Sequence, residues 1–400
     1  MSASVKACPI SKRPAKLLVV IGTIAHMGGA ERQALYLVEH LASLPGCRVE
    51  VLTFEDGAAL RPALNALGVP IHVHPYYFRW PRARRTMALL KVARLLKFKI
   101  KPDALLPFVG IHSKAMAQVW PLSGARFCWW NQQDEGRDLH GTVEEGRILR
   151  KVSCVNSNSE AGRDFLAGTY GLPPASILVY NNGTPVPDAP NISGAWRTKL
   201  DLGQRTIVSM VANITSFKDH ATLIDAWVTV RQHFNGRASP VLLLAGHLRE
   251  QSTVAKLKMQ AFDSGLSNDD IHFLGPLNDV PGLIAESDIV VHSSLTEGCP
   301  NAVCEAMALA KAVVATDIPG CRQALGEVGA RWLAEPRNPE SLAAKIIQLL
   351  EDESLRTRQG QDNLERIKAE FSIAGMNRYF QDLIEKGLGV SLGQATVDRA

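Results

Sequence analysis

No apolar run in the 400-residue chain reaches the ~18–20 residues needed to span a bilayer. The apolar segment 16–22 is too short, and its flank lacks the small-residue cleavage pattern of a signal peptide. Any membrane contact is therefore expected to be peripheral, and the expected location is the cytoplasm or the inner face of its membrane. The seven cysteines (Cys8, Cys47, Cys128, Cys154, Cys299, Cys304 and Cys321) are scattered and odd in number. They form no CxxC pair, which excludes a zinc ribbon and a dithiol redox motif. Most sit in apolar runs, as reduced buried thiols do in a cytosolic protein. Without secretion, the sequons at Asn182, Asn191 and Asn213 would meet no glycosylating enzyme. The segment from Gly22 to Gly29 does not supply G-x-G-x-x-G after the first strand, so the dinucleotide fingerprint of an NAD-dependent oxidoreductase is missing. No D-x-D motif stands in a strand-end loop, and neither a bound metal nor another cofactor is expected.

Acidic residues are missing from one long stretch. Arg79, Arg82, Arg84, Arg85, Lys91, Arg94, Lys97, Lys99 and Lys101 follow one another with no acid before Asp103. Such a face suits an anionic membrane surface or an anionic acceptor, and it equally suits a solvated helix side. The net charge of +5 is mild for this length and does not call for a nucleic-acid partner.

What is present is an ordinary globular composition, 46% apolar and 21% charged, in a chain long enough for two cores. Short apolar runs alternate with helical periodicity. Strands are expected at 16–22, 48–54, 70–74, 103–108, 126–130, 151–156 and 177–180, with helices such as 30–41 and 86–96 between them. A stretch rich in Asn, Pro and Gly at 181–194 marks a linker. The alternation then restarts, with strands at 206–213, 240–246, 271–275, 288–292, 312–316 and 331–334. Helices are expected at 220–234, 253–264, 301–310 and 339–350, and in the tail from 353 to 388. This pattern predicts α/β architecture: two doubly wound, Rossmann-like domains with parallel sheets, facing across a ligand-binding cleft. The domains are placed at 1–183 and 184–373, with a C-terminal helix at 374–400 returning to the first.

The chemistry is concentrated in the segment 288–320, DIVVHSSLTEGCPNAVCEAMALAKAVVATDIPG. A buried strand leads into a polar loop with Glu297 and Gly298. A helix starts near Asn301, a plausible N-cap, with Glu305 on its first turns. A helix start offers unpaired N–H groups and a positive dipole end, which suits a diphosphate. Gly298 is expected to permit a tight turn and close approach of a ligand. Two carboxylates in one pocket accept hydrogen bonds from paired hydroxyls, as a sugar and a ribose present them. Taken singly, each Glu is also what an ordinary helix start contains.

This stretch resembles the signature of the large retaining glycosyltransferase family 4, the group 1 glycosyl transferases, whose fold is the two-Rossmann-domain GT-B arrangement. The family pattern E-G-x-P-N-x-x-x-E-A-M is met by Glu297, Gly298, Pro300, Asn301, Glu305, Ala306 and Met307. The resemblance implies that Glu297 contacts the donor sugar and Glu305 the ribose. It also implies that backbone groups through Gly298, Cys299, Pro300 and Asn301 hold hydroxyls and phosphate. The segment Gly28-Gly29-Ala30-Glu31-Arg32 resembles the family's GGAER element, which would bring Gly28 and Gly29 to the donor. Asn158-Ser159 and Asn182-Gly183 resemble structural turns of the family. So does the strand Phe273-Leu274-Gly275 followed by Asp279-Val280.

Three positions depart from the pattern. The family's V-G-R-L-x-x-x-K becomes Val211-Ala212-Asn213-Ile214 followed by Lys218, so the Lys is kept and Asn213 replaces the Arg. Two cations facing a diphosphate stabilise the leaving group. With one gone, Lys218 carries more of that role, or Arg249 substitutes. The family's His in the first domain is missing from Trp129-Trp130-Asn131-Gln132-Gln133-Asp134, where Asn131 or Gln132 can bond the sugar. Ala310 stands where the family commonly has Gly, and a small residue is expected to suffice.

The function implied is a retaining hexosyltransferase using a UDP- or GDP-sugar and a glycan or lipid-linked acceptor, as in polysaccharide or glycolipid synthesis. Glu297, Lys218 and Asn131 would be its catalytic residues. A nucleotide-sugar epimerase on the same fold and an inactive nucleotide-binding scaffold are the alternatives.

Overall fold

The computed structural model describes residues 13–188, 193–235, 239–248 and 250–394. Cys8, Asn191, Arg249, part of the 181–194 linker and the last six residues lie outside them. The chain divides into two compact units, Met1–Gly183 with Ile373–Ala400, and Thr184–Ser372.

The first unit is built on seven parallel strands: β1 (Ala15–Thr23), β2 (Cys47–Glu55), β3 (Ile71–Val73), β4 (Ala104–Pro107), β5 (Phe127–Gln132), β6 (Cys154–Ser157) and β7 (Ile177–Val179). Their order is β3-β2-β1-β4-β5-β6-β7. Side chains alternate across a strand, and β1 uses both faces. Leu17, Val19 and Ile21 join Leu37 and Leu41 of the helix Gly29–Ala42 in one core. Leu18 and Val20 join Val92 and Leu96 in another. This two-sided burial explains why β1 reads as an unbroken apolar run. The C-terminal helix Ile373–Leu388 belongs to this unit, where Phe380 packs against Trp129 at 5.0 Å and Tyr180 at 4.6 Å between ring centroids. Trp129 and Trp130 are both fully buried, so neither forms an open wall for a sugar.

The second unit has six parallel strands: β8 (Ile207–Val211), β9 (Val241–Ala245), β10 (Ile271–Gly275), β11 (Ile289–His292), β12 (Ala312–Thr316) and β13 (Leu333–Ala334). Their order is β10-β9-β8-β11-β12-β13. In each sheet the direction of strand addition reverses once, between β1 and β4 in the first and between β8 and β11 in the second. Chains leaving these neighbouring strands diverge to opposite faces and open a crevice at the carboxyl ends, where ligands of such sheets bind.

The acid-free stretch forms the helix Arg82–Arg94, prolonged by a π-helical turn Leu95–Ile100. It starts four residues before the expected position because Pro81, locked near φ −65°, sits as its N-cap. Val92, Ala93 and Leu96 face inward, while Met87, Leu90 and Phe98 are 60%, 52% and 66% exposed. No helix of the described residues is long and apolar enough to cross a membrane.

Candidate active site

The second unit's switch point carries the signature stretch. β11 is wholly buried and ends at His292. The loop that follows is tied to the short 3-10 turn Ser216–Lys218 after β8. Ser293 Oγ donates to the carbonyls of Lys218 and Asp219 at 3.2 and 3.1 Å. The Leu295 N–H and Ser294 Oγ donate to the Phe217 carbonyl at 2.8 and 3.2 Å. These bonds bring residues 79 positions apart into contact, and Lys218 Nζ donates to Glu297 Oε1.

Glu297 is the charge centre. Its side chain is 11% exposed and that of Lys218 17%. His292, 2% exposed, donates its Nε2–H to the same Oε1 at 2.8 Å. Burial alone would raise the Glu297 pKa, but the Lys218 charge and the His292 hydrogen bond overcome it and hold the carboxyl well below the usual carboxylate range. Burial lowers the pKa of His292, so it donates as a neutral imidazole. His220, the first residue of the next helix, is buried with neither ring nitrogen partnered among the described residues. Its pKa is pushed down to about 4 by burial, then by the nearby His292 and Lys218. The site therefore holds one anion, one cation and two neutral rings. Both hydrogen bonds to the Glu297 carboxylate use Oε1, so Oε2 has no partner among the described residues and can accept from a ligand hydroxyl.

The helix Asn301–Ala308 starts at this loop. Its N-cap is Pro300, not Asn301 as the sequence suggested; Asn301 is the first helical residue, and no side chain caps the start. The positive end of the helix therefore carries no side-chain cap, and such an end favours an anion. Glu305 lies in the second turn and is half-buried. Gly298 does not adopt positive φ, so the turn does not depend on glycine's conformational freedom. The glycine with a strict role is Gly320, at the start of the helix Pro319–Gly329: an added Cβ would lie 2.3 Å from the Gly298 carbonyl oxygen and 2.5 Å from that of Glu297. Ala310 also departs from expectation. It adopts φ 53°, a left-handed conformation that favours glycine, so the family's Gly there answers to the backbone and not to side-chain size.

The remaining expected residues are elsewhere. Asn213 Oδ1 accepts the His247 N–H at 3.1 Å and braces the loop after β8 against the loop after β9. Gly28 and Gly29 lie in the first unit, as N-cap and first residue of the helix Gly29–Ala42, again with no side-chain cap. The next turn of that helix sends Gln33 to Gly183, which it bonds through both carboxamide atoms, consistent with a structural Asn-Gly turn. Asn131 is fully buried in the first unit. Its Oδ1 accepts from Tyr180 Oη at 2.9 Å and Gln133 Nε2 at 3.0 Å, so its oxygen serves a core network and is not an open sugar contact. Sequence reasoning did not single out His292 or His220. Their available signal was position: one ends the strand before Glu297, and the other follows Lys218 by two residues.

Comparison with known proteins gives a consistent picture. Residues 205–352 match the family model described as glycosyl transferases group 1, and residues 27–186 match that of glycosyltransferase family 4. The chain is 30% identical over 161 residues to N,N'-diacetylbacillosaminyl-diphospho-undecaprenol alpha-1,3-N-acetylgalactosaminyltransferase of Campylobacter jejuni, covering 40% of this chain and 39% of that protein. It is 26% identical over 231 residues to D-inositol 3-phosphate glycosyltransferase of Corynebacterium efficiens, covering 56% and 54%. The chain thus spans well under two thirds of the curated relatives it matches. Among solved structures, Anabaena HepE in complex with UDP and glucose superposes with TM-score 0.79 at 21% identity, over 93% of this chain and 100% of that one. WaaG, a glycosyltransferase involved in lipopolysaccharide biosynthesis, gives 0.70 at 16%, over 91% and 98%. At these identities the structural likeness speaks for the fold.

Proposed function

The chain belongs to glycosyltransferase family 4, the group 1 glycosyl transferases of GT-B fold, and from that premise we propose that it transfers a hexose-type sugar from UDP to a glycan or lipid-linked acceptor with retention of configuration. The observation that carries this reading is the Lys218–Glu297–His292 cluster beside an uncapped helix start at the second unit's switch point. Lys218 and the helix start meet the diphosphate and hold its charge as the bond to the sugar breaks. Glu297, kept ionised by Lys218 and His292, presents Oε2 to the sugar hydroxyls. Glu305 is assigned to the ribose by its place in the family pattern. Retention rests on that same family resemblance, and the acceptor hydroxyl then attacks from the face the diphosphate leaves, with a departing phosphate oxygen placed to take its proton. The choice of UDP is supported by HepE, solved with UDP and with UDP-glucose. A lipid-linked acceptor is supported by the Campylobacter relative, whose name carries a diphospho-undecaprenol substrate. The basic helix with exposed Met87, Leu90 and Phe98 is suited to rest on an anionic bilayer, cations at the headgroups and apolar side chains below them.

One experiment tests these points together. The protein is incubated with UDP-α-hexoses and a diphospho-undecaprenol-linked sugar as acceptor, in phosphatidylcholine vesicles with or without phosphatidylglycerol. The sugar released or transferred is followed by NMR, and vesicle-bound protein by flotation. Retention predicts an α product from an α donor, and flotation only with anionic lipid, weakening as salt rises. A β product would exclude retention, and an epimerised UDP-sugar would indicate the epimerase. Absence of turnover would favour the scaffold, and flotation indifferent to lipid charge would remove the membrane contact.

A further inference from the structure

The first unit has a switch point of its own, between β1 and β4, and a cavity of about 830 Å³ opens over it. Its floor contains Gly22 and Thr23 at the end of β1, and His112 from the first turn of the helix Gly110–Ser123 that follows β4. The imidazole is held from three sides. Phe54 and Phe78 pack against it at centroid distances of 5.5 and 5.6 Å. Its Nδ1 lies 2.9 Å from the Phe108 carbonyl oxygen. The third side is Gly22, where any Cβ would lie 2.0 Å from the ring, so glycine is what lets the ring lie against the strand end.

This geometry fixes the tautomer. A carbonyl oxygen only accepts, so Nδ1 carries the hydrogen. Burial holds the ring's pKa down at about 4, against the opposing pull of Asp138, so near neutral pH the ring carries one proton only. Nε2 is then a bare lone pair, and it has no partner among the described residues.

The wall formed by the start of the basic helix has the opposite character. The guanidinium groups of Arg79 and Arg82 make no ion pair or hydrogen bond among the described residues. Arg85 is braced by donating to the Phe78 carbonyl at 3.0 Å. Acids also line the cavity, as Glu55, Asp138 and Glu144, and Lys114 there is already paired with Glu145 at 2.6 Å. The cavity thus offers a cationic wall at one place and hydroxyl acceptors at others.

We propose that this cavity binds the acceptor, and that it selects a sugar bearing an anionic group, with Arg79 and Arg82 holding the anion and His112 Nε2 accepting a hydrogen bond from a sugar hydroxyl. The proposal rests on the glycosyltransferase reading and adds the acceptor's chemical class. Arginine forks match phosphate oxygens in geometry. The aromatic side chains around His112 offer flat apolar faces to a sugar ring. His112 is a positioning residue here: it orients the hydroxyl.

The test uses the full chain saturated with UDP, so that a phosphate cannot occupy the donor site. Binding of hexose 1-phosphates, the matching methyl hexosides and inorganic phosphate is compared by ligand-observed NMR. The hexose phosphates are expected to bind best. Joint substitution Arg79→Gln and Arg82→Gln should weaken them about tenfold or more, the loss of one good charged contact. His112→Asn keeps a donor near Nδ1 and removes the acceptor at Nε2, and it should weaken binding several-fold. His112→Gln, whose carboxamide reaches further, should restore most of it. A purely structural His112 would not separate the two. Equal binding of hexosides and hexose phosphates would overturn the proposal, as would inorganic phosphate binding as tightly as the sugars. A hexose phosphodiester with a short alkyl chain distinguishes the source: tighter binding indicates a lipid-linked acceptor and equal binding a soluble one, each consistent with the site. UDP occupancy is read in the same samples. Failure of the cavity with UDP bound counts against the cavity alone, and failure of UDP with the cavity intact counts against the donor reading alone.

Discussion

Replacing Lys218 by Met is expected to lower sugar transfer by about 10²–10³, the usual cost of removing one preorganised group that meets charge developing in a transition state. The same substitution should cost stability. Glu297 is nearly buried, and Lys218 is its strongest counter-charge. Breaking a buried pair by deleting one partner leaves the other uncompensated, at roughly 3 kcal/mol or more. His292 moderates this, because it already bonds Oε1. The pH dependence follows from the sign of the shift. A carboxyl whose folded pKa is depressed stabilises the fold above its unfolded value, here about 4.5, and loses that contribution as pH falls through the folded value. In the wild type the contribution should persist through mildly acidic pH. In Lys218→Met, burial dominates the Glu297 pKa, which rises, and the variant should lose its disadvantage as pH falls and the carboxyl is protonated. Chemical denaturation across pH 4–8, run beside a transfer assay, reads both effects. Unchanged transfer in a folded Lys218→Met protein would remove the leaving-group role.

Gly320→Ala should be nearly as damaging, although the residue contributes no functional group. The added methyl would meet two backbone oxygens, those of Glu297 and Gly298, and backbone cannot rotate aside as a side-chain tip can. The helix start or the signature loop must shift, at about 1–3 kcal/mol for such overpacking. A displacement of Glu297 by even a fraction of an ångström alters its contact with Lys218. Donor affinity should fall by more than the stability loss alone would suggest. Gly282→Ala is an informative contrast: its new methyl would meet the carboxylate of Asp279, the cap of its own helix, and no backbone of the signature loop. Comparable donor binding in wild type and Gly320→Ala would show that the loop is not held from behind in this way.

Much of the fold was legible because parallel strands buried on both faces leave unbroken runs such as Leu17–Ile21 and Val241–Ala245, and the linker interrupts the pattern with Asn, Pro and Gly. The signature was legible because Glu297, Glu305 and Lys218 lie in short segments with fixed spacing. What remained hidden depended on contacts distant in sequence. His292 appears as an ordinary strand residue until the loop folds its partner Glu297 back upon it. Asn131 looked able to bond the donor sugar, but Tyr180, 49 positions later, takes up its oxygen. Ala310 looked like a free choice of small residue because backbone φ leaves no trace in a single sequence. Gly320 gave no signal because its need for a missing side chain comes from carbonyls of another segment. The same applies to His112, whose free nitrogen follows from Phe108, Phe54, Phe78 and Gly22 acting together.

The central claim is that the second unit's switch point holds a nucleoside diphosphate through Lys218 and the start of the helix at Asn301. Calorimetric titration of UDP and UMP into the wild-type protein and into Lys218→Met tests it most directly. The account predicts that wild type binds UDP at least about tenfold more tightly than UMP, since only UDP carries the second phosphate for Lys218, and that Lys218→Met brings the two nucleotides close together. Equal affinity for UDP and UMP in the wild type, or a UDP preference that survives in Lys218→Met, would contradict it.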